Sequence, residues 1–163
     1  LLKISRLNIE KMENIKHRVG IKASSQKVYE ALSTLKGIAG WWTKNTSGES
    51  EIGKTIVVRF HTPQGKEVGS MYMDLQDLQP EVILRWKFTA GPPEWINTEV
   101  LFDLHQEEDF TIVLFSHLNW AEEVEFKSHC SMKWAVFLLS LKQLVEEGEG
   151  RPSPNDIKID NWN

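Results

Sequence analysis

A chain of 163 residues carrying 23 acidic against 19 basic side chains has a formal net charge of -4. Its Lys and Arg are scattered rather than gathered on one stripe, which excludes nucleic acid as the expected partner. The single cysteine, Cys130, excludes an intramolecular disulfide and a Cys-rich zinc site. The longest apolar stretch, around Trp134 to Leu141, is broken by Lys133, Ser140 and Lys142 and falls far short of the ~20 residues of a membrane span. The first residues have neither the apolar run nor the small-residue cleavage site of a secretory signal, so the cytoplasm is the expected location.

Met12 reads as an original start. Residues 1–13 are therefore expected to be an extension or cloning remnant, 14–148 a single domain, and 149–163 a C-terminal tail. From Ile15 to Ala23, Val19 and Ile21 alternate with polar neighbours and predict a strand. Ser24-Ser25 offers an N-cap, and Val28, Leu32 and Leu35 follow at helical spacing until Gly37, a short amphipathic helix. Gly37 to Trp42 reads as a second short helical turn, and the polar stretch from Thr43 to Glu51 as a loop.

A succession of β segments follows, each closed by a turn signal. Ile56, Val58 and Phe60 run into Pro63-Gln64-Gly65. Met71, Met73 and Leu75 run into Gln79-Pro80, and Val82, Leu84, Trp86 and Phe88 into Gly91-Pro92-Pro93. Ile96 to His105 and Phe110 to Leu118 form a hairpin over the polar loop 106–109, completing an antiparallel meander. From about Glu122 the period changes: Phe126, Cys130, Trp134, Phe137, Leu138, Leu141 and Val145 form one helical stripe of some six turns. Gly148 and Gly150 end it, and Arg151-Pro152-Ser153-Pro154 opens a non-helical tail that is expected to be disordered.

The order strand, two short helices, meander and long C-terminal helix resembles the START-like (helix-grip) superfamily of lipid-transfer and polyketide-cyclase-like proteins. Val28-Tyr29-Glu30-Ala31-Leu32, then Gly40-Trp41-Trp42 and Gly53, look like the branch of homologues of the heat-shock-protein-90 ATPase activator. So do Thr111-x-Val113-x-Phe115-x-His117 and Trp134-x-x-x-Leu138-x-x-Leu141-Lys142-x-x-x-Glu146. The resemblance spans Ile15 to Glu147. It implies an α+β fold in which a curved antiparallel sheet of about six strands wraps around the C-terminal helix, with a cavity between them and no common catalytic set. The eukaryotic activators carry an additional N-terminal domain, and only a short segment precedes the first strand here, so chaperone activation is not the leading expectation.

Parity then names the candidate cavity residues, because alternate residues of a strand share a face. Met71 with Met73, Val82 and Leu84 with Trp86, and Val100 and Leu104 with Phe102 each form such a set. Methionine adapts to irregular apolar shapes and tryptophan supplies flat area with one donor, a mixture suited to a ring-bearing or acyl ligand. Trp41 and Trp42 are placed at the cavity mouth facing Trp134, with one of the pair a structural plug. A turn centred on residues 107 and 108 would pair His105 near Phe110 and His117 near Thr98, about six residues or ~20 Å apart along the ladder, too far for a shared metal. The family pattern turns His117 inward, where a neutral imidazole could bond a ligand oxygen or Tyr72, or act as acid or base. His129 and Cys130 are helix neighbours and do not face each other. The expected ligand set is thus Trp41, Trp42, Met71, Met73, Trp86, Phe102, His117 and Trp134, with no catalytic set, metal or cofactor. The leading function is a binding protein for a small apolar molecule. A cyclase- or hydrolase-type enzyme using His117 and a co-chaperone-like interaction domain are the alternatives, and a protein partner or homodimer stays open.

Overall fold

The computed structural model describes residues 13–162, so the expected N-terminal extension falls almost wholly outside the described residues. Strand β1 (Glu13–Ile21) is followed by helices α1 (Ser25–Ser33) and α2 (Leu35–Trp41). Ser24 caps α1, its hydroxyl accepting from the Lys27 N–H, as the sequence predicts. The break between the helices falls at Thr34 rather than at Gly37. Thr34 leaves the helical region and its Oγ1 accepts the Gly37 N–H at 3.0 Å, starting α2. Gly37 lies inside α2 because that helix presses on α1: a Cβ there would sit 2.4 Å from the Ala31 carbonyl oxygen.

Seven strands, against the expected six or so, make one antiparallel sheet in the order β1-β7-β6-β5-β4-β3-β2. The additional strand, β2 (Asn45–Gly48), lies in the stretch read as a loop. Its residues are polar because it is an edge strand with little buried side-chain surface, so it carries no hydrophobic alternation to read. The meander continues through β3 (Thr55–His61), β4 (Glu67–Gln79), β5 (Ile83–Ala90), β6 (Glu99–Glu107) and β7 (Phe110–Trp120). A 3-10 turn, Pro93–Trp95, lies between β5 and β6. Register shifts near Tyr72 and near Leu75 bend the long β4, as bulges do.

The inward parity is largely as expected: Met73 and Leu75, Leu84, Trp86 and Phe88, Val100, Phe102 and Leu104 are all buried. Val82 is the exception. It precedes β5, is 47 % exposed, and belongs to the turn. The β6–β7 turn is tighter than predicted, with Glu107 opposite Phe110 and only Glu108-Asp109 between them, Glu108 at φ 53. The ladder therefore slips by two residues, pairing His105 with Ile112 and His117 with Val100. A slip of two preserves every side chain's face.

Helix α3 (Glu125–Glu147) lies in the concavity, buries Cys130, Trp134, Phe137, Leu138 and Leu141, and ends at Gly148 in the left-handed region (φ 89). The expected disorder of the tail is corrected by the structure. Ser153 bridges in parallel to Thr43, its N–H donating to the Trp42 carbonyl at 2.8 Å. The Arg151 N–H donates to Ser140 Oγ at 2.7 Å. Gly150 passes so close to α2 that a Cβ would lie 2.5 Å from the Gly40 carbonyl oxygen. Asp156 is buried against Lys133 and Lys158. Prolines prevent a helix here, but they do not prevent docking.

Candidate functional site

Trp42 stands where α2 meets the sheet and α3. Its indole stacks on Trp41 (5.8 Å between ring centroids) and on Trp86 (5.7 Å), and lies 5.0 Å from Trp134 of α3. Trp134 in turn stacks on Trp95 at 5.7 Å, and Phe137 meets Phe60 at 6.4 Å. Of these rings, Trp42, Trp95, Trp134, Phe60 and Phe137 form the inner wall of a groove of about 760 Å³ between the N-terminal half of α3 and the β3–β4 hairpin, with Trp41 and Trp86 behind them. Met71, Phe126 and Cys130 add apolar surface, and Pro63, Gln64 and Val68 form the hairpin side. A volume of this order, lined mainly by apolar and aromatic side chains, is that of a small-molecule site.

The tail supplies part of the rim through Ser153, Asp156, Lys158 and Trp162. Lys133 Nζ holds the Asp156 carboxylate, donates to the Ile157 carbonyl at 3.1 Å, and lies 5.0 Å over the Phe137 ring. Burial pushes the Asp156 carboxyl up, but hydrogen bonds and charge from Lys133 and then Lys158 outweigh it and hold the group below its ordinary value. His129 Nδ1 pairs with Asp160 at 2.6 Å and its ring meets Trp162 at 5.4 Å. Burial pushes the Cys130 thiol up to about 12, so it is no nucleophile in this setting.

Of the eight residues expected to line the cavity, the structure brings Trp42, Met71 and Trp134 to the groove. Trp41, Met73, Trp86, Phe102 and His117 are buried behind it and are not among its lining residues. Trp41 is the plug of the pair: its indole N–H donates to the Ala31 carbonyl at 3.0 Å. Trp86 and Phe102, 5.0 Å apart, back the wall that Trp42 presents.

His117 points inward and is fully buried, but its partners are not Tyr72 or open space. The Trp134 indole, which can only donate, gives its N–H to His117 Nδ1 at 3.1 Å. The neutral ring must therefore carry its proton on Nε2, which donates to Thr98 Oγ1 at 2.7 Å, and that hydroxyl donates to the Trp95 carbonyl at 2.6 Å. The chain is closed at every atom. Desolvation lowers the His117 pKa to about 3, leaving an uncharged ring with both nitrogens engaged.

Sequence reasoning missed Phe60, Trp95, Phe137 and the tail residues of the groove. Phe137 sat on the recognised helix stripe. The tail and hairpin contributions carried no periodic signal, since loop residues declare themselves only through tertiary contact. Among the described residues, no three His, Cys, Asp or Glu side chains gather as metal ligands, and no helix is long and apolar enough to cross a membrane.

Among solved structures, the chain is similar to the solution structure of the Aha1 dimer from Colwellia psychrerythraea, with 43% identity over 85% of this chain and 100% of that one, and a TM-score of 0.74. A crystal structure from Mesorhizobium loti (16% identity, 84% and 99% of the two chains, TM-score 0.70) shares the fold. So does CalU16 from Micromonospora echinospora (19% identity, 88% and 78% covered, TM-score 0.68). No curated protein matches. The model of the family "Activator of Hsp90 ATPase homolog 1-like protein" matches residues 22–146, and with the seven-stranded helix-grip architecture in place, this chain belongs to that family.

Proposed function

We propose that this protein binds a small, ring-bearing apolar molecule in the groove between α3 and the β3–β4 hairpin, with no chemistry of its own. The observation that carries this reading is the wall of Trp42, Trp95, Trp134, Phe60 and Phe137 around about 760 Å³ of space. Trp42, Trp95, Trp134 and Phe137 are only 1–5% exposed and pack on one another and on neighbouring rings, so they would hold a ligand by apolar packing along the surface they show rather than by free faces. Lys158 on the rim, nearly half exposed, suits a polar or anionic end of the ligand that stays near water. Of the expected residues, Trp42, Met71 and Trp134 are the ones we assign to ligand contact. The enzyme alternative is not favoured, because His117, its intended acid or base, has both nitrogens engaged and lies behind the groove wall. We place this binding in the cytoplasm, where the buried Cys130 would remain a free thiol.

The test is native mass spectrometry of the purified chain together with titration of an apolar fluorescent dye that quenches tryptophan. A retained small molecule, or saturable dye binding that Trp42→Ala weakens, is the expected result. A native chain that takes up neither would overturn the reading. We propose in addition that the chain pairs with a second copy of itself, as its 43% identical Colwellia relative is described as a dimer.

A further inference from the structure

We propose that the solvent face of α3, centred on Met132, Val136 and Leu139, is the surface through which two copies of this chain pair; this rests on the self-pairing proposed above and names its interface. Spacings of four and three residues put these side chains on one line of the helix. That line points away from the sheet, whose contacts are taken by Cys130, Trp134, Phe137, Leu138 and Leu141. Met132 is 56% exposed and Leu139 59%. From Trp134 to Leu141 the sequence holds no charged residue, so two full turns are apolar on the outward side as well as the inward one. A helix that is apolar around its circumference expects cover on both faces.

Of the other exposed large apolar residues, Ile52, Val82 and Ile96 sit singly at turns, Val68 and Trp162 belong to the groove, Ile157 lies in the tail, and Phe110 and Leu114 are on strand β7.

The apolar centre of the stripe is self-complementary under a two-fold axis, while at its ends the same axis sets Glu125 against Glu146 of the second copy, which weakens the pairing. If two α3 helices pack antiparallel with the axis between Ala135 and Val136, Met132 of each copy lies opposite Leu139 of the other, and Ala135 opposite Val136. An isologous contact requires this reciprocity. Packing along the whole helix of 23 residues, about 35 Å long, covers on the order of 350 Å² per copy at a width of about 10 Å, and the apolar line from Met132 to Leu139 supplies roughly a third of it. The usual stable interface covers about 800 Å² per partner. Pairing through this face is therefore weak and concentration-dependent, in the micromolar range rather than the nanomolar.

The experiment is sedimentation equilibrium of the full chain from low to several hundred micromolar, for the native protein, for Met132→Lys, for Leu139→Glu and for the double variant. Both positions are exposed, so the variants should keep the native circular dichroism and melting, and these are measured alongside. The native chain should pass from 18.8 kDa toward twice that mass. Either single variant should weaken association by at least roughly tenfold, because a lone charge is buried against apolar surface. The double variant should recover it, since the axis sets each introduced lysine against the partner's introduced glutamate. A native chain monomeric throughout would overturn self-pairing itself. A dimer that survives both single variants would leave self-pairing standing and overturn this face as its site. Loss without recovery in the double variant would overturn the antiparallel axis.

Discussion

His117 is the residue whose environment has the sharpest consequence. Its folded pKa is lowered from 6.5 to about 3, so between those values the unfolded chain binds a proton that the native state refuses. Stability then falls as the pH drops, by about 1.4 kcal/mol per unit. Above 6.5 the ring contributes no slope. From pH 6.5 to roughly pH 5, before most carboxylates titrate, the expected loss is about 2 kcal/mol, read by urea unfolding at a series of pH values. His117→Gln, which can still accept from Trp134 and donate to Thr98, should cost about 1–2 kcal/mol at neutral pH and flatten the slope in that window. An unchanged slope would assign the pH dependence to another group. Strand parity alone leaves the direction of His117 open, since Ile112, Leu114 and Ser116 on the other parity are equally uncharged, and only the family resemblance turns it inward. The long apolar strand ladder resolves it: Val113, Phe115 and His117 pair with Leu104, Phe102 and Val100, all buried. The hydrogen-bond partners Trp134 and Thr98 were beyond reach because they come from elements distant in sequence.

At the scale of elements, what could be read and what could not divides along periodicity. Strands β3 to β7 and helix α3 bury one face each, and burial forces an alternation that sequence displays. Edge strand β2 and the tail bury few side chains in a regular order, so their backbone pairing left no trace. The Thr34 break escaped notice for another reason: Leu35 continues the helical spacing of α1 although it begins α2. The tail is held by backbone pairing at Ser153 and by one buried carboxylate, Asp156, between Lys133 and Lys158. Replacing Asp156 by Ala leaves the Lys133 ammonium, which is mostly buried, without its counter-charge. The expected loss is about 1–3 kcal/mol, less than for a fully buried pair because Lys158 is nearly half exposed. Limited digestion with a broad-specificity protease should then cut within residues 149–158 before it reaches α3, and a variant as resistant as the native chain would show that backbone pairing alone secures the tail. As Asp156 has a lowered pKa, its ion-pair contribution is present above about 3.8 and lost as the pH falls below it.

For the whole molecule, the question is whether the groove is a binding site or merely the place where an aromatic core reaches the surface. The two cases predict different patterns across two tryptophans of equal burial. Trp134 and Trp86 are 2 % and 0 % exposed, but only Trp134 lines the groove. Truncation to Ala should cost about 3–5 kcal/mol at either site, since each removes a large buried ring. Trp134→Ala should fall toward the upper end, because it also strips His117 Nδ1 of its donor. The Trp86 indole N–H has no hydrogen-bond partner in the folded chain, so its loss orphans no acceptor. Both variants therefore melt well below the native chain for reasons of core packing alone, and thermal melts do not separate the cases. Dye titration does. If the groove binds planar apolar molecules, Trp134→Ala changes the dye affinity or stoichiometry by removing wall area, while Trp86→Ala, whose ring sits behind Trp42, leaves it within about twofold. If the groove is only a surface edge of the core, both variants behave alike in binding, and the aromatic wall is packing alone.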